Sequence, residues 1–179
     1  MKRSFRIFIL LFPVITATSS CQKWKDKQAQ DLGFTNTYCN IPSAVNYNWN
    51  FPGIEDNSTC VFPSDPFTGN YTFEDSVYID GIDSAILYGS IGFSIVKRDS
   101  ARFDITGYCS SRSLPFTANR YYHATSDTVL AGGTQLFCRE LDTLNGTLDY
   151  RPADSSLYIE FTIKSDTLTA VHRGRAYKK

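Results

Sequence analysis

From about residue 70 onward, apolar side chains recur at every second position. In LYIEFTI at 157–163, Leu157, Ile159, Phe161 and Ile163 share one face and Tyr158, Glu160 and Thr162 the other, the period of a half-buried strand. Ile91, Phe93 and Ile95 alternate with Gly92 and Ser94, and Phe103 and Ile105 with Arg102, Asp104 and Thr106. Turn residues punctuate these runs, in KRDSA at 97–101, PADSS at 152–156 and KSD at 164–166. The pattern predicts eight strands, near 70–79, 84–96, 102–109, 115–123, 127–138, 143–151, 156–164 and 167–177, with Gly132 and Gly133 marking a bulge or bend inside the fifth. Short consecutive connections imply an antiparallel up-and-down meander. The fold class is therefore all-β, with a small barrel and a two-sheet sandwich as the two architectures that fit.

The N-terminus has a different texture. Lys2, Arg3 and Arg6 precede an apolar run from Ile7 to Ile15, and small polar residues follow up to Cys21. This is the grammar of a secretory signal peptide over residues 1–20. The run is too short to span roughly 30 Å of hydrocarbon as a helix, and Pro13 interrupts it. Cys21, in TSSC, resembles the lipobox of bacterial lipoproteins, in the looser form of Bacteroidota envelope lipoproteins, with Thr18 where an aliphatic residue is usual. The resemblance implies a diacylglycerol on Cys21, attachment to the membrane through that lipid, and an outer-membrane location on the periplasmic or surface face. Residues 21–38, which include QKWKDKQAQD, then read as a tether whose Lys-and-Asp character resembles the surface-export signals of that phylum.

An envelope address means an oxidising compartment. With Cys21 set aside, Cys39, Cys60, Cys109 and Cys138 allow three pairings. Two local bridges, Cys39 with Cys60 and Cys109 with Cys138, ask for the least cross-chain geometry. The 39–60 segment is rich in Asn, Pro and Gly and lacks periodicity, so it needs such a staple. It resembles a short cysteine-bounded module of Bacteroidota surface proteins through Cys39, Ala44, Asn46, Tyr47, Asn48, Asp56, Asn57, Ser58, Thr59 and Cys60. The β-domain then covers 61–179, and its opening FTGNYTFEDSVY, from Phe67 to Tyr78, is similar to the F-x-G-x-Y/W first strand of lipocalin-like domains.

Charge narrows the partner classes. The chain carries 18 Lys and Arg against 18 Asp and Glu, but residues 1–20 hold three of the basic residues and no acid, so the remainder has 15 against 18 and a formal charge of −3. Nothing here favours nucleic acid. Basic residues gather only in HRGRAYKK at 172–179, which reads as a solvated strand end.

Catalytic patterns are sparse. There is no GxSxG, HExxH, P-loop or dinucleotide-binding glycine motif, and no CxxC pair for a metal. His123 and His172 read as hydrogen-bonded or surface imidazoles, and Asp104, Asp149 and Glu160 fall on outward faces. Glu55, Asp56 and Asn57 read as turn residues rather than calcium ligands. No catalytic residue, metal site or cofactor is assigned. One tripeptide recurs: Asp, then Ser or Thr, then an aliphatic residue, at 75, 83, 99, 127, 142 and 166. It resembles the O-glycosylation motif of Bacteroidota, with acceptors Ser76, Ser84, Ser100, Thr128, Thr143 and Thr167, and it also suits turns ahead of strands. N-x-[ST] sequons occur at Asn57, Asn70 and Asn145.

These readings combine into a non-enzymatic cell-envelope lipoprotein with a binding or structural role at the membrane surface, its partner an envelope protein. The alternative is a lipocalin-like carrier whose apolar ligand sits among Phe73, Phe93, Phe103 and Phe161. A hydrolase stands third.

Overall fold

The computed structural model describes residues 35–48, 53–79, 87–110, 112–128, 130, 134–166 and 168–179. The signal-peptide and lipid-site readings, most of the tether, Ser84, Thr167, Gly132 and Gly133 lie outside these residues. One compact unit comprises Thr37–Phe51 with Glu55–Lys179. Of the other unit, residues 35, 36, 53 and 54 are described; within it the Ile54 amide donates to the Asn36 carbonyl at 3.1 Å.

Eleven strands are present among the described residues: β1 (Thr37–Tyr38), β2 (Ile54–Glu55), β3 (Gly69–Ile79), β4 (Leu87–Lys97), β5 (Arg102–Thr106), β6 (Leu114–Ala118), β7 (His123–Ser126), β8 (Gln135–Leu136), β9 (Thr143–Arg151), β10 (Ser156–Lys164) and β11 (Thr169–Lys178). Eight of them, β3, β4, β5, β6, β7, β9, β10 and β11, pair antiparallel in that order. The ring closes where β11 returns to β3, in a register running from Ala170 opposite Ile79 to Lys178 opposite Tyr71. The architecture is thus the closed barrel rather than the sandwich, and the closing pair covers the edges that β3 and β11 would otherwise leave open. The short β8 continues along the edge of β9 that β7 occupies further on.

β9 and β10 span the residues expected of them, 143–151 and 156–164. The predicted fourth and fifth strands are corrected. The fourth stops at Ala118, because Asn119 builds a turn: its Oδ1 accepts from the amides of Tyr121 at 2.8 Å and His123 at 3.3 Å. Tyr122 takes a left-handed φ of 63° in that turn. Among the described residues of the predicted strand 127–138, Asp127, Thr128, Phe137 and Cys138 lie outside any strand. β7 precedes it at 123–126, Leu130 faces Thr134 in an antiparallel bridge, and only Gln135 and Leu136 pair with β9. The third is shortened to 102–106, ending before Gly107, whose φ is +85°.

Alternation sends Tyr71, Phe73, Phe93, Ile95, Phe103, Ile105, Leu114, Phe116, Leu144, Leu148, Leu157, Ile159 and Phe161 into the barrel, each at most 4% exposed. At one end Phe67 plugs the interior, stacked on Phe103 with ring centroids 5.1 Å apart. Its segment is tied to the β4–β5 turn by Ser64, whose hydroxyl donates to the Asp99 carbonyl at 2.6 Å. Asp99 holds that turn, accepting from the amides of Ala101 and Arg102 and from the Arg102 guanidinium. Those bonds favour the charged form and bring its carboxyl down to about 2.

The 39–60 segment is closed by the Cys39–Cys60 disulfide, and the second disulfide joins Cys109 to Cys138. The clipped segment works through the residues that make up its motif. Ala44 is fully buried, and the Asn46 side chain bridges to the segment's far end, donating to the Thr59 carbonyl and accepting from the Val61 amide, both at 2.8 Å. Asp56 caps the single 3-10 turn Asn57–Thr59 by accepting from the Ser58 amide. Asn57 donates to Glu55, so these polar atoms are spent on the segment itself.

Candidate functional site

Inward positions on β3 read Tyr71, Phe73, Asp75, Val77, so the strand's own alternation carries an acid into the barrel. On β11 the inward positions opposite are His172, Gly174 and Ala176. Gly174 faces Asp75, and a Cβ there would lie 1.8 Å from the Glu74 carbonyl oxygen. Only glycine lets the two strands approach this closely.

The approach brings His172 Nδ1 to 2.6 Å from Asp75 Oδ2. A carboxylate only accepts, so Nδ1 carries the proton. The Asp75 side chain is 3% exposed and that of His172 18%. Beyond this pair burial fades, with Val77, Ile79, Ile163 and Ala170 half-buried, so the pair sits beneath a mouth at the end opposite Phe67.

Asp75 Oδ1 is buried without a hydrogen-bond partner, as are the Tyr108 hydroxyl and Gln135 Oε1. The other end of the Gln135 amide donates to the Pro115 carbonyl at 3.1 Å. Tyr108 keeps its proton well beyond the ordinary phenol range, because burial disfavours the phenolate and the negative charge of Asp75 adds to that. Its ring lies 5.7 Å from Phe137 and 5.8 Å from Phe161. The disulfide partners Cys109 and Cys138 are the next residues along the chain from Tyr108 and Phe137, so the bridge pins these two rings beside one another.

The other histidine is different. His123 meets Asp149 at the same 2.6 Å, but on the outer surface with the side chains 38% and 47% exposed. Asp104 pairs with Arg98 and Glu160 with Arg173, both outside the barrel. Phe73, Phe93, Phe103 and Phe161 all face the interior at 0–4% exposure. Three of them belong to a continuous chain of ring contacts, Phe67–Phe103–Phe116–Phe161–Tyr108–Phe93–Tyr71. Among the described acceptors of the recurring tripeptide, Ser100 and Thr128 are exposed, while Ser76 on β3 and Thr143 at the start of β9 are half-buried.

Sequence reasoning missed Asp75, Tyr108 and Gln135 as a group. Phase was the available clue for the first: Asp75 is in register with Tyr71 and Phe73, where an exposed acid would sit out of register. No helix among the described residues is long and apolar enough to cross a membrane. Comparison of the chain with protein-family models, curated proteins and solved structures yields no match. The class is accordingly defined by the fold and the site: a closed eight-stranded antiparallel barrel with a disulfide-clipped N-terminal segment and a buried His–Asp pair beneath one mouth.

Proposed function

We propose that this protein is a non-enzymatic cell-envelope lipoprotein, exported through residues 1–20 and held at the outer membrane by a lipid on Cys21, with a barrel that serves a binding role at the membrane surface. The observation that carries the reading is the pairing of the cysteines. Cys39 with Cys60 and Cys109 with Cys138 consume four of five, which suits an oxidising compartment and leaves Cys21, in its TSSC context, for other chemistry. Acyl chains at about 0.8 kcal/mol per buried CH₂ make two or more chains a stable anchor.

The test is replacement of Cys21 by Ala followed by cell fractionation. Release of the protein from the membrane fraction is expected, and unchanged membrane association overturns the anchor. The closed barrel also supports the lipocalin-like carrier reading. In that case an apolar ligand displaces the ring contacts of Phe93, Phe103 and Phe161.

A further inference from the structure

The unpaired polar atoms inside the barrel share one character. Asp75 Oδ1 and Gln135 Oε1 accept hydrogen bonds and never donate them, and the Tyr108 hydroxyl accepts as well as donates. His172, the more solvent-exposed member of the pair, spends its Nδ1 proton on Asp75 Oδ2 and leaves Oδ1 unserved. Aromatic walls strengthen this preference, because ring faces carry partial negative charge. Buried acceptors without donors are costly, and a half-satisfied carboxylate is the costliest of them. The neighbouring basic side chains do not supply the missing charge: Arg173 is engaged by Glu160 and Arg175 by Asp154, both on the outer surface.

We infer that the mouth above Asp75, His172 and Tyr108 binds a small organic ammonium ion. Its N–H groups bond Asp75 Oδ1 and the Tyr108 oxygen, and its apolar body lies against the Phe137 and Phe161 rings that flank Tyr108. Both oxygens are closed off in the free protein, so entry requires the His172 ring to rotate outward and release Asp75 Oδ2. The ligand's N–H groups then replace the imidazole proton donor. This proposal rests on the binding role given to the barrel above and adds the ligand class.

The purified full-length chain is titrated by calorimetry with benzylammonium chloride, benzyl alcohol and sodium benzoate at constant ionic strength, while the His172 imidazole resonances are followed by NMR. Benzylammonium is expected to bind and to shift His172, with benzyl alcohol weaker by roughly tenfold or more, as befits a charge-assisted bond, and no binding of benzoate. Asp75→Asn is expected to weaken benzylammonium by a similar factor, and Tyr108→Phe several-fold with an unchanged far-UV spectrum. Absence of benzylammonium binding, equal affinity for benzyl alcohol, or undiminished affinity in Tyr108→Phe overturns the proposal. Should Asp75→Asn fail to fold, Tyr108→Phe decides. Fractionation of the Cys21→Ala protein is independent of this titration, so the anchor and the ligand class fall separately.

Discussion

Replacing His172 by Ala leaves the Asp75 carboxylate, 3% exposed and unpaired at Oδ1, without its one donor. Breaking a buried pair by removing one partner costs about 3–5 kcal/mol, because a desolvated charge remains uncompensated. The matched control is His123→Ala, which breaks a pair of the same 2.6 Å length on the outer surface, at 38% and 47% side-chain exposure. Water and salt screen that pair, and its loss costs roughly 0–1 kcal/mol. Urea denaturation of the oxidised protein at neutral pH reads both values, and for a domain of this size the first corresponds to a drop in Tm on the order of 10–20 °C. Adding Asp75→Asn to His172→Ala removes the stranded charge and is expected to recover part of the loss, a coupling of the kind that double-mutant cycles detect. Equal costs for His172→Ala and His123→Ala, both under about 1 kcal/mol, would refute the claim that Asp75 is a buried charge dependent on His172.

Three further outcomes are expected. Gly174→Ala places a methyl group 1.8 Å from the Glu74 carbonyl and forces the closing seam apart, whereas Gly146→Ala meets the Phe161 ring at 2.3 Å, a side chain rather than backbone; both should destabilise, and thermal denaturation should show Gly174→Ala as the more damaging. Asp99 has a folded carboxyl at about 2, below its ordinary 3.8, so the stability it contributes is full above the ordinary value and is lost as pH falls toward about 2; Asp99→Asn should flatten the acid limb of a stability–pH curve over that window. Asn46→Ala deletes both bridging bonds of the clipped segment, a loss of about 1–3 kcal/mol that stays local, so limited proteolysis should cut within 39–60 while the barrel remains intact.

Legibility in the sequence followed the physics of each element. β9 and β10 were readable to the residue because strict alternation ends in turn chemistry at PADSS, where Asp154 accepts from the Ser156 amide and Ser155 takes a left-handed φ of 54°. The reversal at Asn119 was hidden because its turn uses an Asn side chain and two tyrosines in place of Gly or Pro. Closure was unreadable as well, since the pairing of β11 with β3 joins strands far apart in the chain and depends on Gly174, whose role appears only when Glu74 stands opposite. The disulfide pairing was accessible from locality, and both bridges follow it. The inner polar group was the least accessible part. Asp75 lies in a tripeptide that also suits turns, yet its side chain faces inward; Tyr108 lies past Gly107, where the alternation of 102–106 ends, and Gln135 belongs to a segment with no sustained alternation.

Non-reducing peptide mapping by mass spectrometry of the protein purified from its own membranes tests at once the anchored Cys21 and the barrel stapled by two disulfides. The predicted result is a Cys39–Cys60 peptide pair, a Cys109–Cys138 pair, and an N-terminal peptide beginning at Cys21 with the mass of a diacylglycerol adduct. A chain that retains residues 1–20, or a Cys21 found in a disulfide with any of the other four, would contradict it.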